Sequence, residues 1–196
     1  IVIPWFSSDF QSVCAVDHNN VWLAGFWSLI QNNNGVYKTT DGGNSWTGYT
    51  VDPEYPPARY VHFINQNEGW MTCGTWPDDD NNYLGNSSEY FFVHQNDIQN
   101  EYFVYKRFQN DPYPMYFSEM EYYPKRTSDQ YETVILHTAD GGQNWELQYE
   151  NYGNFYPNDL WFKNQYEGWV TVEADMTSSF LHTTDGGQSW QIVNFP

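Results

Sequence analysis

The sequence predicts an all-β fold, a partial β-propeller of three four-stranded blades with a long aromatic insertion in the second. Three observations predict it. An octapeptide built around Asp-Gly-Gly recurs at 39–46, 138–145 and 183–190. A pair of short apolar strands, the second carrying a Trp, recurs in step with it. The intervening runs are short, rich in β-branched and aromatic residues and bounded by Asn, Asp and Gly, with no sustained helical period.

The octapeptide reads Thr39-Thr40-Asp41-Gly42-Gly43-Asn44-Ser45-Trp46, then Thr138-Ala139-Asp140-Gly141-Gly142-Gln143-Asn144-Trp145, then Thr183-Thr184-Asp185-Gly186-Gly187-Gln188-Ser189-Trp190. It has the chemistry of a hairpin between the third and fourth strands of a repeat. The Asp accepts backbone N–H groups two or three residues on, as in an Asx turn. The Gly pair allows positive φ. The Thr ends the preceding strand, and the Trp folds back over the turn and buries apolar area. Asp41, Trp46, Asp140, Trp145, Asp185 and Trp190 are therefore read as structural.

The second element runs Val13-Cys14-Ala15-Val16 to Val21-Trp22, Val61-His62-Phe63-Ile64 to Gly69-Trp70, and Leu160-Trp161-Phe162-Lys163 to Gly168-Trp169. Trp22 to Trp46, Trp46 to Trp70 and Trp145 to Trp169 are each 24 residues apart, a register that chance does not hold. Trp70 to Trp145 takes 75, which places an insertion at about 76–131. In the third repeat the strands fall near 159–163, 168–174, 179–183 and 189–193. Four strands per ~45 residues is the pattern of propeller blades. The resulting organisation is one domain, or part of one: 1–10 the last strand of a preceding blade, 11–52 blade one, 57–150 blade two, 157–196 blade three.

On these residues the chain resembles the Asp-box (BNR) repeat propellers, whose pattern is Ser/Thr-x-Asp-x-Gly-x-Thr/Ser-Trp. Two octapeptides match it throughout, and the middle one has Asn144 in place of the hydroxyl residue. The Glu-Gly-Trp strand resembles the subgroup of photosystem II assembly-factor propellers and bacterial surface proteins. The resemblance covers about 140 of 196 residues and leaves out the insertion. It implies Asp boxes that lie away from any active site. It implies no single activity, because the family holds sialidases, xyloglucan-cleaving glycosidases, sortilin-type receptors and assembly factors.

Composition narrows the choice. Seven Lys+Arg against 25 Asp+Glu, a net charge of −18, repel nucleic acid and anionic lipid. An aromatic fraction of 20% marks a folded chain. Scarce Lys with abundant Asn, Gln, Thr, Tyr and Gly suits a secreted, extracellular or cell-surface protein, or a periplasmic one. No apolar run approaches the ~18 residues of a membrane span. Cys14 and Cys73 lack zinc-site spacing and read either as a disulfide or as two small buried side chains.

No catalytic residue, metal site or cofactor is assigned. A sialidase needs a three-Arg carboxylate clamp. Of the only arginines, Arg59, Arg107 and Arg126, two lie in the insertion and Arg59 follows Pro-Pro-Ala, so they read as scattered surface groups. His137 and His182 occupy the repeat position of Lys38, a scaffold slot. Asp78, Asp79 and Asp80 lack EF-hand spacing and read as a solvated loop.

The insertion is the departure from the scaffold, and such loops commonly carry function. It holds 9 of the 17 Tyr. Residues 89–94 and 101–106 read as a strand pair and 115–123 as a further strand. Tyr offers flat apolar area with a polar tip, suited to protein or sugar surfaces. Trp76, Tyr83, Tyr90, Tyr102, Tyr105, Arg107, Tyr113, Tyr116, Tyr122 and Arg126 are the candidate binding residues, although the same aromatics would also serve as the insertion's own core.

The expectation is a non-enzymatic binding or assembly module contacting protein or glycan. The alternatives are part of a polysaccharide-active glycoside hydrolase and a structural subunit packing with its copies. Counting back 24 residues from Trp22 puts Ile1–Ile3 on a fourth strand, so further blades of a longer chain, or other copies, are expected to complete the ring.

Overall fold

The computed structural model describes residues 9–28, 33–77, 90–96, 101–107, 130–174 and 177–194, and these are all strand and turn. The first sheet is β1 (Asp9–Ala15), β2 (Val21–Ser28), β3 (Asn33–Thr39) and β4 (Thr47–Thr50), hydrogen-bonded in that order. The second begins with β5 (Ala58–Phe63) and β6 (Gly69–Thr75). A separate antiparallel pair, β7 (Tyr90–Asn96) and β8 (Glu101–Arg107), follows before β9 (Glu132–Thr138) and β10 (Glu146–Tyr152) finish the second sheet. The third is β11 (Tyr156–Phe162), β12 (Gly168–Ala174), β13 (Thr177–Thr183) and β14 (Gln191–Asn194), again in chain order. Its strands start and stop within three residues of the positions read from the repeat. Each sheet is an antiparallel four-stranded meander, the blade of a propeller.

The blades stack face to face. One apolar core lies between the first and second sheets, around Trp22, Val36, Val61, Phe63, Met71 and Leu136. A second lies between the second and third, around Trp70, Ile135, Leu160, Phe162, Val170 and Leu181. The middle sheet feeds both. Met71 and Cys73 of β6 enter the first core while Trp70 enters the second. All seven residues of β6 are buried for that reason. The fourth strands are mostly exposed, so β4 and β14 form the outer edge.

The Asp box forms the same knot three times. Thr39 ends β3 with its hydroxyl buried, donating to Asp41 Oδ1 at 2.8 Å and accepting the Gly43 N–H at 2.9 Å. Asp41 then accepts the Ser45 N–H at 2.9 Å and the Ser45 hydroxyl at 2.6 Å. Asp185 repeats this with Thr183 and Ser189 at 2.8, 2.9 and 2.6 Å. The Asx reading of the sequence is corrected in one respect: the amide that every box aspartate captures lies four residues on, with a bond three residues on only at Gln143 in the middle copy. The Gly pair explains the longer reach. Gly141 and Gly142 both have positive φ, +78° and +95°, and widen the loop by turning left-handed in succession. The box Trp caps the knot, Trp145 Nε1 donating to Gly142 O at 2.9 Å while its ring meets Phe63 edge-on.

The joints between blades are also repeated. Phe63 stacks on Trp22 of the preceding blade at 4.0 Å, and Phe162 stacks on Trp70 at 3.6 Å. The same indoles reach forward to the next Asp box: Trp22 Nε1 donates to Gly141 O at 3.0 Å, and Trp70 Nε1 to Gly186 O at 3.2 Å. Each Phe lies against the Gly paired with it in register, Phe63 on Gly69 and Phe162 on Gly168. A Cβ on either Gly would come within 2.5 Å of the ring, which accounts for the Gly in Glu-Gly-Trp. The first blade has Ala15 opposite Val21 instead, a small residue facing a larger one.

The basic slot is likewise architectural. Lys38 lies over Trp22 at 4.9 Å, His137 over Trp70 at 5.1 Å and His182 over Trp169 at 5.0 Å. Both cysteines are unbridged. Cys14 Sγ accepts the Phe63 N–H at 3.2 Å across the first joint, and Cys73 is buried in the first core.

Candidate functional site

The insertion leaves the scaffold after Thr75, the last residue of β6, and returns at Glu132, the first of β9. These two residues are register partners. The second-to-third strand hairpin of the third blade needs only two residues, between Ala174 and Thr177. The insertion therefore replaces a tight turn, and its root lies at one rim of the sheets.

Four side chains meet there. Trp76 is 42% exposed and stands edge-on to Tyr131 at 5.0 Å and to Tyr156 at 5.6 Å. Arg59 lays its guanidinium over the Tyr156 ring at 5.4 Å. Its Nε donates to Gly74 O at 2.8 Å. Three elements bring the group together: the start of β5, the two ends of the insertion and the start of β11.

A β-bulge aims the arginine. Ala58 pairs with Cys73 and Tyr60 with Thr72, so Arg59 is the extra residue on β5. Such residues are turned out of the ladder, a common device beside functional sites. The first strands of the other blades slip at the same place, where the extra residues are Gln11 and Asn158. The bulge belongs to the scaffold, and only the second blade puts a cation on it. Arg59 is thus a half-buried, braced member of this cluster, which corrects its reading as a scattered surface group.

The surroundings are acidic and polar. Glu132 and Thr75 are both buried, and the Thr75 hydroxyl has no hydrogen-bond partner among the described residues. Thr133 holds the incoming strand, its hydroxyl donating to Phe155 O at 2.6 Å. Asn34 does the same in the first blade, donating from Nδ2 to Pro56 O at 2.7 Å and accepting the Ala58 N–H at 2.6 Å. That second clamp fixes the segment leading to Arg59. Nearby, Tyr60 has its phenol pKa raised, first by burial and then by the charge of Asp159.

Of the candidate residues read from the sequence, Trp76 stands in this cluster. Tyr90, Tyr102, Tyr105 and Arg107 fall on β7 and β8, where register pairs Tyr90 with Arg107 and Tyr105 with Phe92. The expected strand pair at 89–94 and 101–106 is this hairpin. Tyr83, Tyr113, Tyr116, Tyr122 and Arg126 lie outside the described residues, as do the strand at 115–123, Asp78–Asp80 and Ile1–Ile3. Sequence reasoning missed Arg59, Tyr131 and Tyr156 as a group. A repeat-wide bulge position occupied once by Arg was the available signal. Among the described residues no group of three His, Cys, Asp or Glu is placed to hold a metal.

Fold and repeats together are similar to those of the Asp-box (BNR) repeat propellers. Residues 130–196, about a third of the chain, match the family model described as photosynthesis system II assembly factor YCF48. A solved structure of YCF48 bound to D1 peptide superposes with a TM-score of 0.53 at 16% identity, covering 98% of this chain and 42% of that one. The chain thus spans less than half the length of that protein, and the likeness is one of fold. No curated protein sequence matches the chain.

Proposed function

We propose that the chain is a non-enzymatic protein-binding module of the assembly-factor kind, and that it receives a partner's extended segment at the rim formed by Trp76, Tyr131, Tyr156 and Arg59. The observation that carries this reading is the exposed Trp76 indole beside a guanidinium already oriented by Gly74 and Tyr156. Trp, Tyr and Arg are the residues that dominate binding hot spots. An apolar side chain of the partner covers Trp76, and a carboxylate or carbonyl engages the Nη groups of Arg59, which have no hydrogen-bond partner among the described residues. The peptide bound to YCF48 in the similar structure supports the class of ligand. The setting we propose is extracellular or cell-surface, on the strength of the acidic, Tyr-rich and Lys-poor composition.

A displayed random-peptide library selected on the intact protein tests this. Enriched peptides should pair an aromatic or aliphatic residue with a nearby acid or carboxyl terminus. Trp76→Ala should weaken them by ~2 kcal/mol, roughly 30-fold, with melting nearly unchanged. Binders indifferent to both Trp76→Ala and Arg59→Gln would remove the rim from the mechanism. A glycan array that yields ligands where the peptide library yields none would replace the protein partner with a sugar.

A further inference from the structure

Two of the third strands clamp the segment that leads into the next blade, and the two clamps differ in chemistry. In the second blade Thr133 of β9 uses one hydroxyl, donating to Phe155 O at 2.6 Å. Two residues further on stands Pro157, which has no N–H to satisfy. In the first blade the counterparts of Phe155 and Pro157 are Pro56 and Ala58, and Ala58 does have an N–H. The clamp there needs a donor and an acceptor together, and a carboxamide carries both. Asn34 of β3 supplies them: Nδ2 donates to Pro56 O at 2.7 Å, with Tyr55 O at 3.5 Å, and Oδ1 accepts the Ala58 N–H at 2.6 Å. The side chain is 3% exposed.

Asn34 is also the only Asn of the chain that a Gly follows. A Gly has no Cβ to hinder its backbone nitrogen from closing on the preceding side-chain carbonyl carbon. The fold imposes that Gly: Gly35 has φ +146°, and a Cβ on it would run into Tyr49 O of β4. Both residues of the dipeptide are thus fixed by packing. The same ring closure is open in principle to Asp41-Gly42, Asp140-Gly141 and Asp185-Gly186. There the turns hold the carboxyls ionised, and the glycine N–H groups are engaged by Asn19 O, Asn67 O and Tyr166 O. An ionised carboxylate resists attack by an amide nitrogen, which leaves Asn34 as the reactive position of the four.

We propose that Asn34 is a fold-guarded modification site: it deamidates spontaneously when the start of β3 opens, and the product breaks the clamp on the segment that carries Arg59. The Gly35 nitrogen gives up its proton to solvent and bonds to Asn34 Cγ. The Cγ–Nδ2 bond breaks and the nitrogen leaves as ammonia, taking a proton from solvent. Water then opens the five-membered imide at either carbonyl, giving Asp or isoaspartate. In the closed fold the carboxamide cannot turn toward Gly35 without losing Pro56 and Ala58, so the reaction waits on local opening. Afterwards an ionised Asp can still accept the Ala58 N–H, but it has no donor for Pro56 O, which then faces a second oxygen in a buried site. Isoaspartate adds a backbone methylene and displaces the carboxylate from both partners.

Peptide mapping by mass spectrometry of the full chain, aged in mildly alkaline buffer with and without urea, tests the guard. In urea Asn34 should be the first Asn converted, with Asp and isoaspartate both present. In buffer alone its conversion should be slower by roughly tenfold or more. Asn34→Asp tests the consequence. At neutral pH it should melt several degrees below wild type and exchange the amides around Ala58 faster. Near pH 5 the deficit should shrink, because burial raises the carboxyl pKa and a protonated carboxyl again offers one donor and one acceptor. Equal rates with and without urea, another Asn converted first in urea, or an Asn34→Asp deficit that is absent or the same at both pH values would overturn the proposal. If the variant does not fold at neutral pH, its recovery near pH 5 decides. A fall in peptide affinity on ageing would follow only if the rim at Arg59 is the binding site, whereas the mass, exchange and melting readouts do not depend on that reading.

Discussion

Asn144 donates its side-chain amide to Asp140 Oδ2 at 2.6 Å, the distance at which the Ser45 and Ser189 hydroxyls serve Asp41 and Asp185. The departure of the middle octapeptide from the family pattern is thus a change of donor with the bond kept. Asn144→Ser should leave the melting temperature within a degree or two of wild type. Asp140→Ala strands the Thr138 hydroxyl and the Gln143 and Asn144 amides together, and should cost ~1–3 kcal/mol. Thermal denaturation of both variants checks the contrast. Equal destabilisation by the two would show that the knot does not depend on its aspartate.

The same knots set the acid limit of the fold. Asp41 and Asp185 are held at about 2, below the ordinary 3.8, chiefly by the hydroxyls of Ser45 and Ser189. At Asp140 burial acts in the opposite direction and is the largest single influence, yet the amides of Asn144, with Thr138 and Gln143, together bring it to about 2. A carboxyl whose pKa is lower folded than unfolded stabilises the fold above the unfolded value and loses that contribution as pH falls through the folded one. Denaturant midpoints should therefore be flat near neutrality and fall between about pH 4 and pH 2. Asp140→Asn should remove part of that slope. A slope unchanged in the variant would assign the acid transition to other groups.

The blade joints hold the largest buried rings. Phe162→Ala removes the ring stacked at 3.6 Å on Trp70 and leaves a cavity against Gly168. The expected loss is ~3–5 kcal/mol. Trp70→Phe keeps most of the apolar area but removes the indole N–H shared by Gln148 Oε1 and Gly186 O, which keeps the Gln148 amide as a donor, and should cost less, ~1–3 kcal/mol. Chemical denaturation separates them. A smaller loss for the Phe162 variant than for the Trp70 variant would mean that the hydrogen bond outranks the stack.

What was legible in the sequence was local or periodic. The Asp box closes within eight residues by its own chemistry, so Thr39, Asp41 and Trp46 announced it without knowledge of the fold. The Trp spacing disclosed the blades because each repeats one hydrogen-bonding plan. The joints were half legible: Gly69 before Trp70 stood out as a motif, but its reason, the Phe63 ring across the strand pair, needed the register. The rim was not legible. Arg59, Trp76, Tyr131 and Tyr156 are distant along the chain, and only the bulge at Arg59 and the closing of β6 on β9 bring them together.

That closing defines the last prediction. Thr75 and Glu132 face each other as the end pair of an unbroken ladder that begins at Gly69 and Thr138. Ala174 and Thr177 face each other in the same way across two residues. Replacing 76–131 by Asn-Gly should therefore close β6 on β9 through a two-residue turn, since that dipeptide favours the twist such hairpins need. The cost is limited to uncovering the rim: Tyr131 is buried and packs edge-on to Trp76, so the removal of both should lower stability by ~1–3 kcal/mol without changing the β signature in circular dichroism. Peptide binding should vanish, because Trp76 goes with the insertion. Restoring Trp76 and Tyr131 at the ends of a longer Gly-rich loop should recover part of the binding, as Arg59 and Tyr156 remain in place on β5 and β11. A shortened chain that fails to fold would make the insertion part of the core, and one that binds as before would place the recognition surface elsewhere on the blades.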